Sequence, residues 1–173
     1  SEMCIRDRIS QKDWDILLES KNQPLANKAI SGNYPPGSTF KMIVAMAALE
    51  ENLISEEELF DCEGFYELEE RKFHCWKYSG HGLTNLSKGI EESCDVYFYH
   101  LAERIGIERI SNLAKKFGLG ISPILPLTGV SKGLIPTKSW KKVNKKETWF
   151  TGDTLNSGIG QGFILSTPIQ IAI

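Results

Sequence analysis

No stretch of this 173-residue chain approaches the roughly 18 uninterrupted apolar residues that a membrane-spanning helix needs. Nor do the first residues show a charged leader followed by an apolar block, so the chain as given carries no visible address or anchor. Excess charge of one sign is missing too: 20 Lys and Arg stand against 22 Asp and Glu, a formal net charge of -2. Electrostatic attachment to nucleic acid or to an anionic membrane surface is therefore not expected, and chemistry on a small molecule or peptide is. Internal repeats, linkers and low-complexity tracts are absent. With 41% hydrophobic and 24% charged residues, what remains is a globular composition long enough for one core and hardly for two. The end of the chain, Ser166 to Ile173, opens like a capped helix with Pro168 in its first turn and stops after about two turns, so a chain cut within an element is expected.

Ser10-Gln11-Lys12-Asp13 reads as a capping box ahead of Trp14, Ile16, Leu17 and Leu18, which predicts a short amphipathic packing helix over residues 11–20. Tyr34-Pro35-Pro36-Gly37 then forces an extended approach and a turn, after which Ser38 opens a helix running to Glu50 that is apolar nearly all round. Such a helix is buried on most sides, which puts Ser38 at the head of a core element. Residues 60–82, rich in Gly, aromatics and turn formers, predict a loop or small hairpin. Helices follow over 84–92, 94–105 and 107–117, the latter two closed by Gly106 and Gly118 as left-handed caps. Residues 119–136 hold three prolines and few charges. Lys138, Lys141, Lys142 and Lys145 recur at helical spacing as a solvated face, and Gly152, Gly158, Gly160 and Gly162 predict a flexible or tightly turned loop.

A serine hydroxyl attacks only when a base takes its proton, and residues three apart on a helix share a face with Cβ atoms roughly 5–6 Å apart. Ser38 and Lys41 have that spacing. Lysine serves as a base only when neutral, and burial in apolar surroundings disfavours its charged form. Backbone N–H groups at the head of the helix would favour an oxyanion beside Ser38. Taken alone, Ser-x-x-Lys is weak, because a capping serine and a snorkelling lysine produce the same pattern. The Pro-Pro-Gly entry and the otherwise apolar helix shift the balance, since a lysine unpaired in such a helix is costly without a task. Ser93-Cys94-Asp95, at a junction between two helices, supplies a second group. Ser93 can relay a proton and Asp95 can pair with Lys41 or hold a substrate amide, although a plain N-cap motif explains the same residues equally well.

Tyr34-Pro-Pro-Gly-Ser-Thr-Phe-Lys41, Phe73-His-Cys-Trp76, Gly80-His-Gly82, Ser93-Cys-Asp-Val-Tyr-Phe-Tyr99, Phe117-Gly-Leu-Gly120, Gly152-Asp-Thr154, Ile159-Gly-Gln-Gly162 and Thr167-Pro-Ile-Gln170 occur in this order over residues 9–173. In order and spacing they resemble the penicillin-binding protein 2 family, the elongation-type class B peptidoglycan transpeptidases. The resemblance implies an α/β (α+β) fold of the penicillin-binding transpeptidase and serine β-lactamase kind, of which these residues form mainly the α-helical part, with most of the central antiparallel sheet lying outside them. It implies that Ser38 attacks the penultimate D-Ala carbonyl of a stem peptide, that Lys41 is the general base, and that Ser93 is the proton relay of a second motif. That motif usually ends in asparagine, where this chain has Asp95. β-Lactams would acylate the same serine.

The resemblance further implies a parent protein anchored in the bacterial inner membrane, facing the periplasm and working with a membrane glycosyltransferase of the elongation machinery. Residues 1–8 do not match the family, and no role is given to Cys4. The family's third motif, Lys-Thr-Gly or Lys-Ser-Gly, does not occur in these residues. Its strand supplies an oxyanion donor, and losing one such donor costs roughly 3–4 kcal/mol in the transition state, so these residues by themselves are expected to be poorly active or inactive.

Cys62, Cys75, His81 and Cys94 fall within 33 residues, at intervals of 12, 5 and 12. Three thiolates and an imidazole make a closed tetrahedral zinc set, though the intervals are wider than in zinc fingers. A Cys62–Cys75 disulfide and buried free thiols are the rivals. His81 between two glycines favours zinc, because a disulfide gives the imidazole nothing to do, and the resemblance adds that some family members carry a metal in this segment. A structural zinc would brace Ser93 through Cys94. Other functional readings are a serine β-lactamase, a penicillin-sensing receptor domain, and a zinc-stabilised helical interaction module in which Ser38 is only a cap. No deacylating-base motif supports the first, and the long match through Gly160 to Gln170 favours a transpeptidase over a sensor.

Overall fold

The computed structural model describes residues 9–122 and 126–173. The expectations for residues 1–8, and part of the proline-rich stretch, lie outside these. The Pro35-Pro36-Gly37 entry leads into a 3-10 turn, Gly37–Phe40, continued by helix α3, Lys41–Glu50. Two helices precede it, α1 (Gln11–Glu19) and α2 (Lys28–Ser31). Four strands follow: β1 (Phe60–Cys62), β2 (Phe65–Leu68), β3 (Arg71–His74) and β4 (Gly82–Thr84). Then come α4 (Leu86–Glu91), α5 (Asp95–Ile105), α6 (Ile107–Lys116), α7 (Lys138–Lys145), α8 (Thr151–Gly158) and α9 (Pro168–Ala172).

The core forms where α3, α5, α6 and α8 pack, with Val44, Ala48, Phe98, Leu101, Ile110 and Leu155 inaccessible to solvent. Burial of side chains as large as Leu, Ile or Phe is worth about 1.5–3 kcal/mol each, which holds an α3 that lacks a capping side chain. Alanines at 45, 47 and 48 leave room for neighbouring helices to approach α3 closely. The segment expected as a loop or hairpin is more regular than that: β2 and β3 form an antiparallel hairpin from Phe65 opposite His74 to Leu68 opposite Arg71, and β1 pairs with β4 around it. Among the described residues no helix is long and apolar enough to cross a membrane.

Three expectations are corrected. Helix α1 is capped by Ser10, whose hydroxyl accepts the Asp13 N–H, but none of its residues is buried, and Ile16 and Leu18 face solvent. Residues 151–158 are helix, not loop. Gly158 lies where a Cβ would come within 2.4 Å of Ala102 Cβ, so the glycine marks a close α5–α8 approach and not flexibility. The lysine face is broken at Lys141, which is 3% exposed and paired with Asp153 of α8 at 2.7 Å, while Lys138, Lys142 and Lys145 are exposed. The hydrogen bond from Lys141 to Asp153 raises the lysine pKa against the opposing effect of desolvation. The predicted capping of α9 is present, with Thr167 and Gln170 bonded reciprocally and Pro168 in the first turn.

Candidate active site

Ser38 occupies the 3-10 turn, exposed, one turn ahead of the buried Lys41. It does not serve as an N-cap: Pro36 holds that position and no side chain caps the turn. The turn is pinned from outside by Gly37 N–H, which donates to Gly160 O at 2.9 Å. Gly160 has φ +69, and a Cβ there would lie 2.2 Å from Gly37 O, so only glycine lets the two backbones meet.

The second group arrives from the α4–α5 junction. Cys94, and not Ser93, caps α5, its Sγ accepting the Tyr97 N–H at 3.5 Å. Capping therefore leaves the Ser93 hydroxyl free. Ser93 itself has φ +51, left-handed backbone that a serine adopts at an energetic cost.

These elements bring all four sequence-predicted residues together. Lys41 Nζ lies 2.7 Å from Asp95 Oδ1, 2.8 Å from the Ser93 carbonyl and 3.0 Å from Ser93 Oγ, and Ser93 Oγ donates to Ser38 Oγ at 2.9 Å. The spacing argument anticipated a direct Ser38–Lys41 contact; in the structure the link passes through Ser93. Lys41 is 3% exposed but not alone in apolar surroundings, since a carboxylate, a carbonyl and a hydroxyl converge on it. The geometry has a protonic consequence. Ser93 O, the Asp95 carboxylate and Ser93 Oγ all accept from Nζ, and of the three only Ser93 Oγ also carries a proton, which it directs to Ser38 Oγ. Ser38, Ser93 and Lys41 thus form one hydrogen-bonded chain along which a proton can move.

Beside this site lies the predicted cysteine–histidine cluster. The Sγ atoms of Cys62, Cys75 and Cys94 and a ring nitrogen of His81 all lie within 4.8 Å of one another, and all four residues are buried. The thiols are free, so the Cys62–Cys75 disulfide is not formed. His81 Nδ1 is 3.5 Å from both Cys62 Sγ and Cys75 Sγ, which is the separation that ligand distances of about 2.3 Å for sulfur and 2.0–2.1 Å for nitrogen produce in a tetrahedron. Hydrogen bonding from Cys94 holds the Cys75 thiol well below its usual range, helped by the backbone N–H groups of Lys77, Val96 and Asp95, and the same bond together with burial pushes Cys94 up. The four side chains thus make a group that fits a metal ion.

Two contacts escaped the sequence argument. Trp76 donates its backbone N–H to Asp95 Oδ2 at 3.0 Å and its indole N–H to the carbonyls of Ser93 and Glu92 at 3.1 and 3.2 Å. Glu92 Oε2 lies 3.7 Å from His81 Nε2, on the far side of the ring from the thiols. Trp76 was visible within a matched motif, but nothing in the one-dimensional pattern says what an indole will touch.

A serine on the turn before α3 is thus joined through a second serine to a buried lysine. Residues 9–173 match the family "Penicillin binding protein transpeptidase domain", and the chain belongs to that family. It is 41% identical over 168 residues to peptidoglycan D,D-transpeptidase MrdA of Haemophilus influenzae, and 40% to that of Escherichia coli K12; in each case 96% of this chain covers 26% of the relative. Among solved structures it resembles Pseudomonas aeruginosa PBP2 in complex with WCK 5153, with TM-score 0.89, 38% identity, and 95% of this chain covering 36% of that one. It resembles Helicobacter pylori PBP2 in complex with MreC equally, with TM-score 0.89, 39% identity, and 94% of this chain covering 31% of that one. The expected transpeptidase fold is therefore present, represented by a helix-rich portion with two small antiparallel pairs.

Proposed function

We propose that these residues carry the nucleophile and relay of a peptidoglycan D,D-transpeptidase acting in cell-wall elongation. Ser38 Oγ attacks the penultimate D-Ala carbonyl of a stem peptide. For this Ser93 turns its O–H from Ser38 to Lys41 Nζ; the Ser38 proton then passes to Ser93 Oγ as Ser93 gives its own to the amine, and the C–O bond of an acyl-enzyme forms. The C–N bond to the terminal D-alanine breaks, and that amine leaves with the proton returned along the same path. An amine of a neighbouring strand then takes the acyl group and releases Ser38. Asp95 keeps Lys41 in place, and β-lactams present a strained amide to the same hydroxyl. The observation that carries this reading is the continuous Ser38–Ser93–Lys41 chain at 2.9 and 3.0 Å.

In the same reading Cys62, Cys75, His81 and Cys94 hold zinc, which would supply no chemistry to acyl transfer and would fasten β1, the β3–β4 loop and the start of α5 to one another. Glu92 lies behind His81, with Oε2 3.7 Å from Nε2, beyond hydrogen-bond distance. In the same reading the parent protein stands on the periplasmic face of the inner membrane alongside a membrane glycosyltransferase, because its relatives are named for action on peptidoglycan, a polymer outside that membrane.

The test is mass spectrometry of the gene product carrying these residues after incubation with benzylpenicillin. A persistent adduct on Ser38 is expected. Rapid loss of the adduct would point to a β-lactamase instead, and no adduct on Ser38 would sink the reading.

A further inference from the structure

We infer that Trp76 is a positioning residue for the Ser93 relay, holding the serine in the backbone conformation that places its hydroxyl between Ser38 and Lys41. The inference rests on the acyl-transfer reading above. Ser93 is a non-glycine residue at φ +51, so something must hold it there. Its carbonyl oxygen receives two donors, Lys41 Nζ at 2.8 Å and Trp76 Nε1 at 3.1 Å. The same indole N–H also reaches the Glu92 carbonyl at 3.2 Å, so one donor spans the carbonyls of two consecutive residues and resists rotation of the peptide between them.

The other end of Trp76 grips the remaining partner of Lys41. Its backbone N–H binds Asp95 Oδ2, while Oδ1 of the same carboxylate binds the amine. A single residue thus touches both groups that orient Lys41.

Burial does not explain the tryptophan, because it is 61% exposed. What fixes its position is its neighbour. Cys75, 2% exposed, lies among the four clustered ligand atoms and donates its backbone N–H to Gly64 O at 2.8 Å. The indole ring also packs edge-on against His81, with centroids 5.4 Å apart. Trp76 therefore carries the rigidity of the cysteine–histidine cluster to the serine. An exposed indole kept for its N–H donor and not for its apolar area is the arrangement that this predicts.

The test compares acylation by a fluorescent penicillin in the gene product carrying these residues, unsubstituted and as Trp76→Phe, which keeps a ring and the backbone N–H but removes the indole donor. Stopped-flow kinetics separate the first-order acylation step from the preceding binding constant. We expect acylation to slow about tenfold with binding within about twofold of the original, the loss of one shared hydrogen bond. A second variant carries benzothienylalanine at position 76, which replaces only the N–H by sulfur in a ring of the same shape; it should lose the same factor at an unchanged unfolding midpoint. Unchanged acylation in both variants overturns the inference. So does a loss confined to the binding constant, which would make the indole a substrate contact. No Ser38 adduct in the unsubstituted protein overturns both this inference and the reading beneath it.

Discussion

Replacing Lys41 by methionine separates two roles that one amine combines. The side chain keeps nearly the same length and apolar stem, so the packing of α3 against α5 should survive. Its loss leaves Asp95, whose side chain is 14% exposed, with the Trp76 N–H as its remaining hydrogen bond in the site. Stripping one partner from a buried ion pair costs about 3–5 kcal/mol, and the lower end applies here because Asp95 retains a donor and some solvent. Lys41→Met should therefore destabilise the domain by about 3 kcal/mol. It should also slow acylation of Ser38 by roughly 10²–10⁴-fold, the usual contribution of a positioned base.

The double variant Lys41→Met with Asp95→Asn divides these effects, since it removes the stranded charge without restoring a base. Most of the stability should return in the double variant and none of the acylation rate. Urea unfolding reads the first quantity, and time-resolved labelling with a fluorescent penicillin the second. Full-speed labelling of Lys41→Met would refute the claim that the amine drives proton removal. Recovery of labelling in the double variant would show that the single variant failed through stranded charge alone.

Gly160→Ala should both destabilise the fold by about 2 kcal/mol and slow labelling of Ser38, because its Cβ would meet Gly37 O at 2.2 Å and force the nucleophile's turn to shift; wild-type values in unfolding and labelling would contradict this. Elemental analysis of protein purified without chelator should find one zinc per chain, falling in Cys94→Ser, and metal removal should slow acylation by loosening Ser93; an unchanged rate in the metal-free protein would count against the brace. His100, stacked on Phe60 with ring centroids 4.6 Å apart, has a pKa lowered from 6.5 chiefly by desolvation. Below about pH 6.5 the unfolded chain takes up a proton that the folded chain refuses, so stability should fall as pH drops through that window. In His100→Phe that part of the slope should vanish in urea unfolding at pH 7.5, 6.5 and 5.5, and an identical slope in both proteins would show that His100 is not its source.

The candidate site was more legible in the sequence than the packing around it. Ser38 and Lys41 are three residues apart on one turn, so local geometry alone brings them near each other. Ser93 and Asp95 lie more than fifty positions away, and their pairing with Lys41 was readable only as one of two options, the other being a cap. What decided it was Cys94, whose sulfur takes the capping role that a serine commonly fills. Glycine misled where it marked contact instead of freedom. Gly158 reads as a loop former until Ala102 of another helix is seen against it. Lys141 misled for a related reason, since periodicity places it on a face with three exposed lysines, and only Asp153 on a different helix gives it cause to be buried. Errors of this kind share one origin: the information sits on a second element, and no window of sequence contains both.

The arrangement of Ser93 and Cys94 gives the two clusters a physical reason to be neighbours. In the proposed mechanism Ser93 must reach two other side chains at once, and it does so from a backbone conformation that a free chain would leave. The residue after it is fully buried and belongs to the cysteine–histidine group, and the residue after that grips Lys41. Anchoring position 94 therefore constrains ψ of Ser93 from one side, while the Trp76 N–H and Lys41 constrain its carbonyl from the other. Removing either anchor leaves the catalytic atoms present but free to relax toward ordinary backbone angles. The expected signature is a protein that still folds and still binds a β-lactam, yet acylates slowly because its relay hydroxyl spends most of its time out of line.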